Sequence, residues 1–370
     1  MSINVLRTPR SVDLAITGRC NLRCKYCSHF SSAGDVDLDL PTEEWLSFFE
    51  ELNHCAVFDV TLQGGEPFIR KDLRDLIKGI VKNRMRFNIL TNGTLITEDM
   101  AFFLSSTGRC DGVQVSIDGS IPVTHDSFRG KGSFHKAIRG VKHLQKHHVP
   151  VFVRVTIHRH NVRDLDAIAD LLFNEIGLDT FSTNAASYMG LCRQNAETVQ
   201  LTTEERSLAI ETLLRLNREY HGRISASAGP LAEGMAWLEM MEAYNQGQEH
   251  MHDRGYLTGC GGPNEKLAVR ADGVMVPCIQ LSHITLGRIN EDDLKEVWQS
   301  HPDLKRLRER CNIPLSSFTF CQDCQYVNFC TGNCPALAYQ MLGNENHPSP
   351  DACLKRFLEE GGRLPDSAAG

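Results

Sequence analysis

The chain has 370 residues, 41% hydrophobic and 23% charged, with a net charge of −7 from 39 basic and 46 acidic side chains. That length supports a large core and more than one average domain. With no long basic run, no stretch of 18 apolar residues and no secretory apolar segment after Met1, the composition points away from nucleic acid and membranes, and the chain reads as cytoplasmic. Fourteen cysteines in that setting indicate metal rather than disulfides.

Along the chain, residues 11–184 alternate short apolar runs with amphipathic ones. Strands are predicted over Val12–Thr17, Phe58–Gln63, Phe87–Thr91, Gly112–Ile117, Val151–Ile157 and Thr180–Asn184. Helices are predicted over Thr42–Asn53, Lys71–Lys82, Thr97–Leu104, Ser133–His147 and Val162–Glu175, with Pro41-Thr42-Glu43-Glu44 as a helix start. Six β-α units imply an α/β fold with a parallel sheet and helical crossovers, a partial (β/α)6 TIM barrel that stops short of the eight units of a full one. Residues 203–220 read as a further helix, and residues 226–259 as a bridge rich first in small residues and then in Met. From Cys260 the character changes, since eight of the last 111 residues are cysteine. The expected division is therefore 1–225 for the barrel, 226–259 for the bridge and 260–370 for a cysteine-rich domain.

The chemistry is written in three groups of motifs. The first strand runs into Cys20-Asn21-Leu22-Arg23-Cys24-Lys25-Tyr26-Cys27, a C-x3-C-x2-C run. Three thiolates on one loop can hold three irons of a [4Fe-4S] cube and leave the fourth iron open, although three cysteines and one further ligand also suit zinc. The second strand ends in Gly64-Gly65-Glu66-Pro67, where two glycines let the backbone approach a ligand and Glu66 can accept from an ammonium group. The third and fourth end in Asn92-Gly93 and in Ser116-Ile117-Asp118-Gly119, small polar residues at the face where α/β barrels gather their sites and also ordinary turn chemistry. Arg129 follows as a candidate carboxylate partner. In the C-terminal third, Cys260 is followed by twelve residues, Gly273 and Cys278, then by Cys321-x2-Cys324-x5-Cys330-x3-Cys334 and finally Cys353.

The first run resembles the signature of the radical S-adenosylmethionine (SAM) superfamily, and the C-terminal set resembles the SPASM motif. The resemblance spans residues 11 to 355. It implies the same partial barrel, one SAM-binding [4Fe-4S] cluster on Cys20, Cys24 and Cys27, and a 5′-deoxyadenosyl radical that abstracts hydrogen. It implies further that Gly64, Gly65, Glu66 and Pro67 hold the SAM amino group, that Ser116 contacts the ribose or carboxylate, that Tyr26 lies against the adenine, and that Asn92, Asp118 and Arg129 belong to the same cofactor site. SPASM domains carry two auxiliary [4Fe-4S] clusters. By motif position Cys321, Cys324, Cys330 and Cys353 hold the distal one, and Cys260, Cys278 and Cys334 the nearer, with Cys311 or Cys192 as a fourth ligand or the position left open. No catalytic base is identified.

The same resemblance makes a peptide or protein the expected substrate of a two-electron oxidation and a flavodoxin or ferredoxin the expected electron donor. Only about ten residues precede the first strand, too few for a folded leader-binding module. Leader recognition is therefore expected from the barrel and SPASM surfaces or from a separate small leader-recognition protein, the second being favoured. A tetrapyrrole or other small-molecule substrate stays open. An anaerobic sulfatase maturase would carry Asp after the second SPASM cysteine, and Pro277-Cys278-Ile279 lacks it.

Overall fold

Runs of β-branched and aromatic residues favour a pleated surface, and the amphipathic runs between them supply helices to cover it. In a computed structural model, which describes residues 5–29 and 39–365, the chain begins with β1 (Ser11–Thr17), α1 (Thr42–His54), β2 (Asp59–Gly64), α2 (Leu73–Lys82), β3 (Arg86–Thr91), α3 (Glu98–Ser106) and β4 (Cys110–Ser116). It continues with α4 (Pro122–Arg129), α5 (Ser133–Lys146), β5 (Val151–Ile157), α6 (Leu165–Asp170), β6 (Phe181–Ala185), the short α7 (Gly190–Gln194) and α8 (Ala196–Val199), and α9 (Thr203–Glu219). All six expected strands are present within two residues of their predicted ends. The helix predicted from Val162 starts later, because the Asn161 side chain accepts from the His158 amide at 2.8 Å and holds residues 158–161 in a turn. It then runs on through one wide π turn, Leu171–Glu175.

Next come β7 (Ile224–Ala226), α10 (Pro230–Asn245), α11 (Gly262–Glu265), β8 (Lys266–Val269), β9 (Val274–Val276), β10 (Gly287–Arg288), α12 (Leu294–Ser300), α13 (Pro302–Glu309), α14 (Pro335–Leu342) and α15 (Leu354–Glu359). The strand order is β10-β9-β8-β1-β2-β3-β4-β5-β6-β7. The run from β8 through β7 is parallel, and β9 and β10 add an antiparallel edge. Two parallel strands thus lengthen the six-unit sheet. β7 and β8 have three and four residues, too few for an alternation to be read in advance. Through β8 the sheet runs across residue 260 and joins the cysteine-rich third to β1. Residues 226–259 contain α10, a 16-residue helix that packs on α9 and on β6 and β7. α9 starts with a capping box, in which the Thr202 hydroxyl accepts from the Glu205 amide and the Glu205 carboxylate from the Thr202 amide.

Strand alternation sorts the side chains. Leu14, Ile16, Val60, Leu62, Phe87, Ile89, Val113, Val115, Val153 and Val155 point outward and are fully buried under the helices. α1 contributes Trp45, Phe48, Phe49 and Leu52 to that layer, and α2 Leu73, Leu76, Ile77 and Ile80. Each such side chain contributes about 1.5–3 kcal/mol through burial. The opposite face is more polar: Thr61, Asn88, Gln114, Arg154 and Ser182, together with Leu90 and Phe152, border a cavity of about 330 Å³. Among the described residues no helix is long and apolar enough to cross a membrane.

Candidate functional site

The loop after β1 is held mainly by bonds that do not involve its cysteines. The Gly65 amide donates to the Thr17 carbonyl at 2.8 Å and the Glu66 amide to the Arg19 carbonyl at 2.8 Å. A Cβ on Gly65 would stand 2.1 Å from the Arg19 oxygen, and one on Gly64, where φ is +125°, 2.3 Å from the Thr17 oxygen. Both positions therefore require glycine. The loop's far end is tied by Lys25 N to Phe128 O at 3.0 Å and by Leu191 N to Cys27 O at 2.8 Å. On its outer side, Asp39 accepts from the Thr17 hydroxyl, the Gly18 amide and Arg19.

Cys20, Cys24 and Cys27 border one cavity of about 270 Å³ together with Tyr26, Gly64, Gly65, Asn92, Ser116 and Arg129. Burial pushes the Cys24 thiol up to about 12 and raises that of Cys20. Thiols in so dry a place ionise only when a cation takes their charge, which suits an iron–sulfur cluster. Among the described residues no three His, Cys, Asp or Glu side chains converge on one ion. A cube binds each thiolate to a different iron, so its ligands need no common point.

The remaining expected site residues, Glu66, Pro67 and Asp118, are buried directly behind the residues that border the cavity. Glu66 is fully buried and accepts from the Thr91 hydroxyl at 2.7 Å, the Asn92 amide at 2.8 Å and the Phe68 amide at 3.2 Å. Burial raises its carboxyl to about 7. Pro67, also buried, opens the short turn Pro67–Ile69 behind it. Asp118 is fully buried and accepts from the Arg129 Nε, the Tyr26 hydroxyl and the Thr156 amide. Burial pushes its carboxyl up, but Arg129 more than offsets this and holds it below its ordinary value. Arg129 and the Tyr26 hydroxyl are thus already engaged by the protein. His158 stacks on Phe128 at 4.0 Å between centroids and completes this ring cluster, its pKa lowered to about 4 by burial.

A second cavity of about 380 Å³ continues from the first through Ser28, His29, Gln63, Gly64 and Gln280, and reaches Arg270, Ile279, Ser282 and Gln340. Among the described residues that border the two cavities there is one imidazole, His29, and no carboxylate. A single histidine two residues past a cysteine run gives no sequence signal, and only the fold places it at the junction. Arg154 was likewise not foreseen. It lies where the cysteine-lined cavity meets the polar interior, and its Nε donates to the Ser182 hydroxyl at 3.2 Å. Among the described residues no carboxylate pairs with it, and burial lowers its pKa.

In the C-terminal third, Cys321, Cys324, Cys330 and Cys353 share a small cavity of about 30 Å³. Burial raises Cys321 to about 12 and Cys330 to about 11, with the other thiols of the set adding to the rise. Cys278 is raised to about 11 by burial, with Cys260, Cys334 and Asp13 adding to the rise, and it follows β9, which pairs with β8 next to β1. Cys192 is not with them. It is buried with Tyr26 and Phe128 next to the first loop. Cys311 contacts Asn312 at 3.9 Å.

Residues 14–172 match the Radical SAM superfamily, and residues 260–325 match SPASM, an iron–sulfur cluster-binding domain. The chain is 31% identical to the Fe-coproporphyrin III synthase of Methanosarcina barkeri over 353 residues, which cover 89% of this chain and 84% of that protein. It is 24% identical to the PqqA peptide cyclase of Ruegeria pomeroyi, covering 92% of this chain and 86% of that one. Its fold matches Streptococcus suis SuiB bound to the precursor peptide SuiA with a TM-score of 0.71 at 16% identity, over 95% of this chain and 77% of SuiB.

Proposed function

Because the chain belongs to the radical SAM superfamily and carries a SPASM domain, we propose that it is an oxidoreductase that modifies a peptide or protein by a two-electron oxidation such as a crosslink. The observation that carries this is the continuous cleft from the three cysteines to Ser282 and Gln340, which suits an extended chain lying between barrel and cysteine-rich domain. One relative is by name a peptide cyclase, and one structural neighbour holds a precursor peptide. When bound, SAM and its cluster supply a carbon radical that abstracts hydrogen. The chain's own contribution is positional. Cys20, Cys24 and Cys27 hold the cluster, the Gly64-Gly65 backbone with Asn92 and Ser116 borders the cofactor, and His29 takes the proton that leaves the substrate. Cys260, Cys278 and Cys334 hold one auxiliary cluster, and Cys321, Cys324, Cys330 and Cys353 the other. A flavodoxin or ferredoxin donor and a small leader-recognition protein complete the reading.

Incubating the reconstituted enzyme with SAM, a low-potential reductant and a precursor peptide should give deoxyadenosine and a product lighter by two hydrogens. A sulfatase-type Cys or Ser peptide should not yield formylglycine, because Ile279 borders the cleft where a carboxylate base would be needed. Mass spectrometry reads both, and an aldehyde product would place the base elsewhere.

Arg154 favours a second reading, a tetrapyrrole bearing carboxylate side chains, as the name of the Methanosarcina barkeri relative suggests. A half-buried guanidinium that borders a cavity and, among the described residues, has no acidic partner suits such a group. Arg154→Gln should then lower turnover of an iron porphyrin carboxylate by about tenfold or more, while deoxyadenosine formation without substrate persists. Equal loss of both would assign the guanidinium to SAM instead.

A further inference from the structure

Arg310 is 2% exposed, and its Nε and Nη2 are sealed from solvent with no hydrogen-bond partner. Guanidinium keeps its charge even when buried, so donors of this kind are expected to be used. Among the described residues no carboxylate forms an ion pair with it. Arg306 takes both Asp303 and Glu345, and Arg308 gives Nε to the Pro263 carbonyl and Nη1 to the Trp298 carbonyl. The chain on either side of Arg310 is pinned to the segment around Cys260, by Arg308 on Pro263 at 2.9 Å and by Leu257 N on the Ile313 carbonyl at 3.1 Å. Burial lowers the arginine's pKa, and ionised Cys260 and Cys334 would counter that more than Glu345 does.

We propose that Arg310 donates from its unpartnered Nε and Nη2 to the sulfurs of the auxiliary cluster held by Cys260, Cys278 and Cys334, and so keeps that cluster's reduction potential above that of the distal one. This rests on the ligand sets proposed above. Hydrogen bonds to cluster sulfur and nearby positive charge both favour the reduced state. The distal set has a cation at its edge, Lys355, but that ammonium is already given to the Gln322 carbonyl at 3.1 Å, whereas two nitrogens of Arg310 have no partner. The nearer cluster, beside β1, is then the first of the two to accept an electron.

The test is a redox titration of the reconstituted full-length enzyme followed by electron paramagnetic resonance. The SAM-binding cluster is recognised by its change on adding SAM, and iron and sulfide are counted in each sample. Arg310→Gln should lower the midpoint of one auxiliary signal and leave the other. At the wild-type midpoint, its reduced-to-oxidised ratio should fall about tenfold, the worth of one hydrogen bond to a charged group. Arg310→Lys, which keeps the charge, should recover most of that shift. An unshifted midpoint in Arg310→Gln with iron intact, or a Lys variant shifted as far as Gln, overturns the proposal. If Arg310→Gln does not retain its cluster, the Lys variant decides: a near-native midpoint supports the assignment, and loss of iron there too overturns it. Cys260→Ala separates this from the ligand sets, because both auxiliary signals persisting unchanged in that variant would refute the sets and not Arg310.

Discussion

Replacing Cys20, Cys24 and Cys27 together with alanine should abolish deoxyadenosine formation and remove about four of about twelve irons from the reconstituted protein. The loop that carries them is folded by backbone bonds, Gly65 N to Thr17 O, Glu66 N to Arg19 O and Lys25 N to Phe128 O, none of which uses a thiol. The barrel should therefore survive the substitution. The other seven ligand cysteines lie between residues 260 and 353 in loops of their own, and their eight irons should remain. Anaerobic iron and sulfide counts, with chromatography of the nucleoside product, check both halves. Deoxyadenosine retained by the triple variant would overturn the assignment of these cysteines, as would zinc as the sole bound metal.

Spacing in the sequence located the cysteine sets and the strand ends because both are local properties. C-x3-C-x2-C fixes which thiols share a loop, and an apolar run ending in Gly-Gly or Asp-Gly fixes where a strand stops. Which partner a polar side chain takes is not local. Glu66 and Asp118 stand where strand-end residues were expected, but the fold turns Glu66 onto Thr91 and Asn92, and Asp118 onto Arg129, Tyr26 and Thr156. The polar interior was equally hidden. Arg154 sits in Val151-Phe152-Val153-Arg154-Val155, which reads as an ordinary strand with one charge. Its meaning comes from Ser116 and Ser182 beside it in the sheet, and from the absence of a carboxylate among the described residues that border its two cavities. β8 was missed because it joins β1 from the other end of the chain. Four residues carry too little alternation to announce that pairing.

Breaking the Asp118–Arg129 pair should be the most damaging single change outside the cysteines. Both side chains are buried, at 0% and 8% exposure, and the pair bridges the end of β4 to the end of α4. Arg129→Leu would leave a carboxylate sealed in the core with only the Tyr26 hydroxyl and the Thr156 amide as donors. Removing one partner of such a pair costs about 3–5 kcal/mol. Asp118→Leu should cost a similar amount by stranding the guanidinium under Tyr26, whose ring it faces at 5.4 Å. The double variant should be destabilised by less than the sum of the two, since neither charge is then left alone. Because Arg129 holds the carboxyl below its ordinary value, the pair's contribution is complete above about pH 4 and is lost as pH falls through the lower folded value. Anaerobic urea denaturation of the three variants, followed by circular dichroism at neutral pH, measures the cycle. Additive losses would mean that the two residues act separately. Arg129 would then be free to serve a cofactor carboxylate, the role first expected of it.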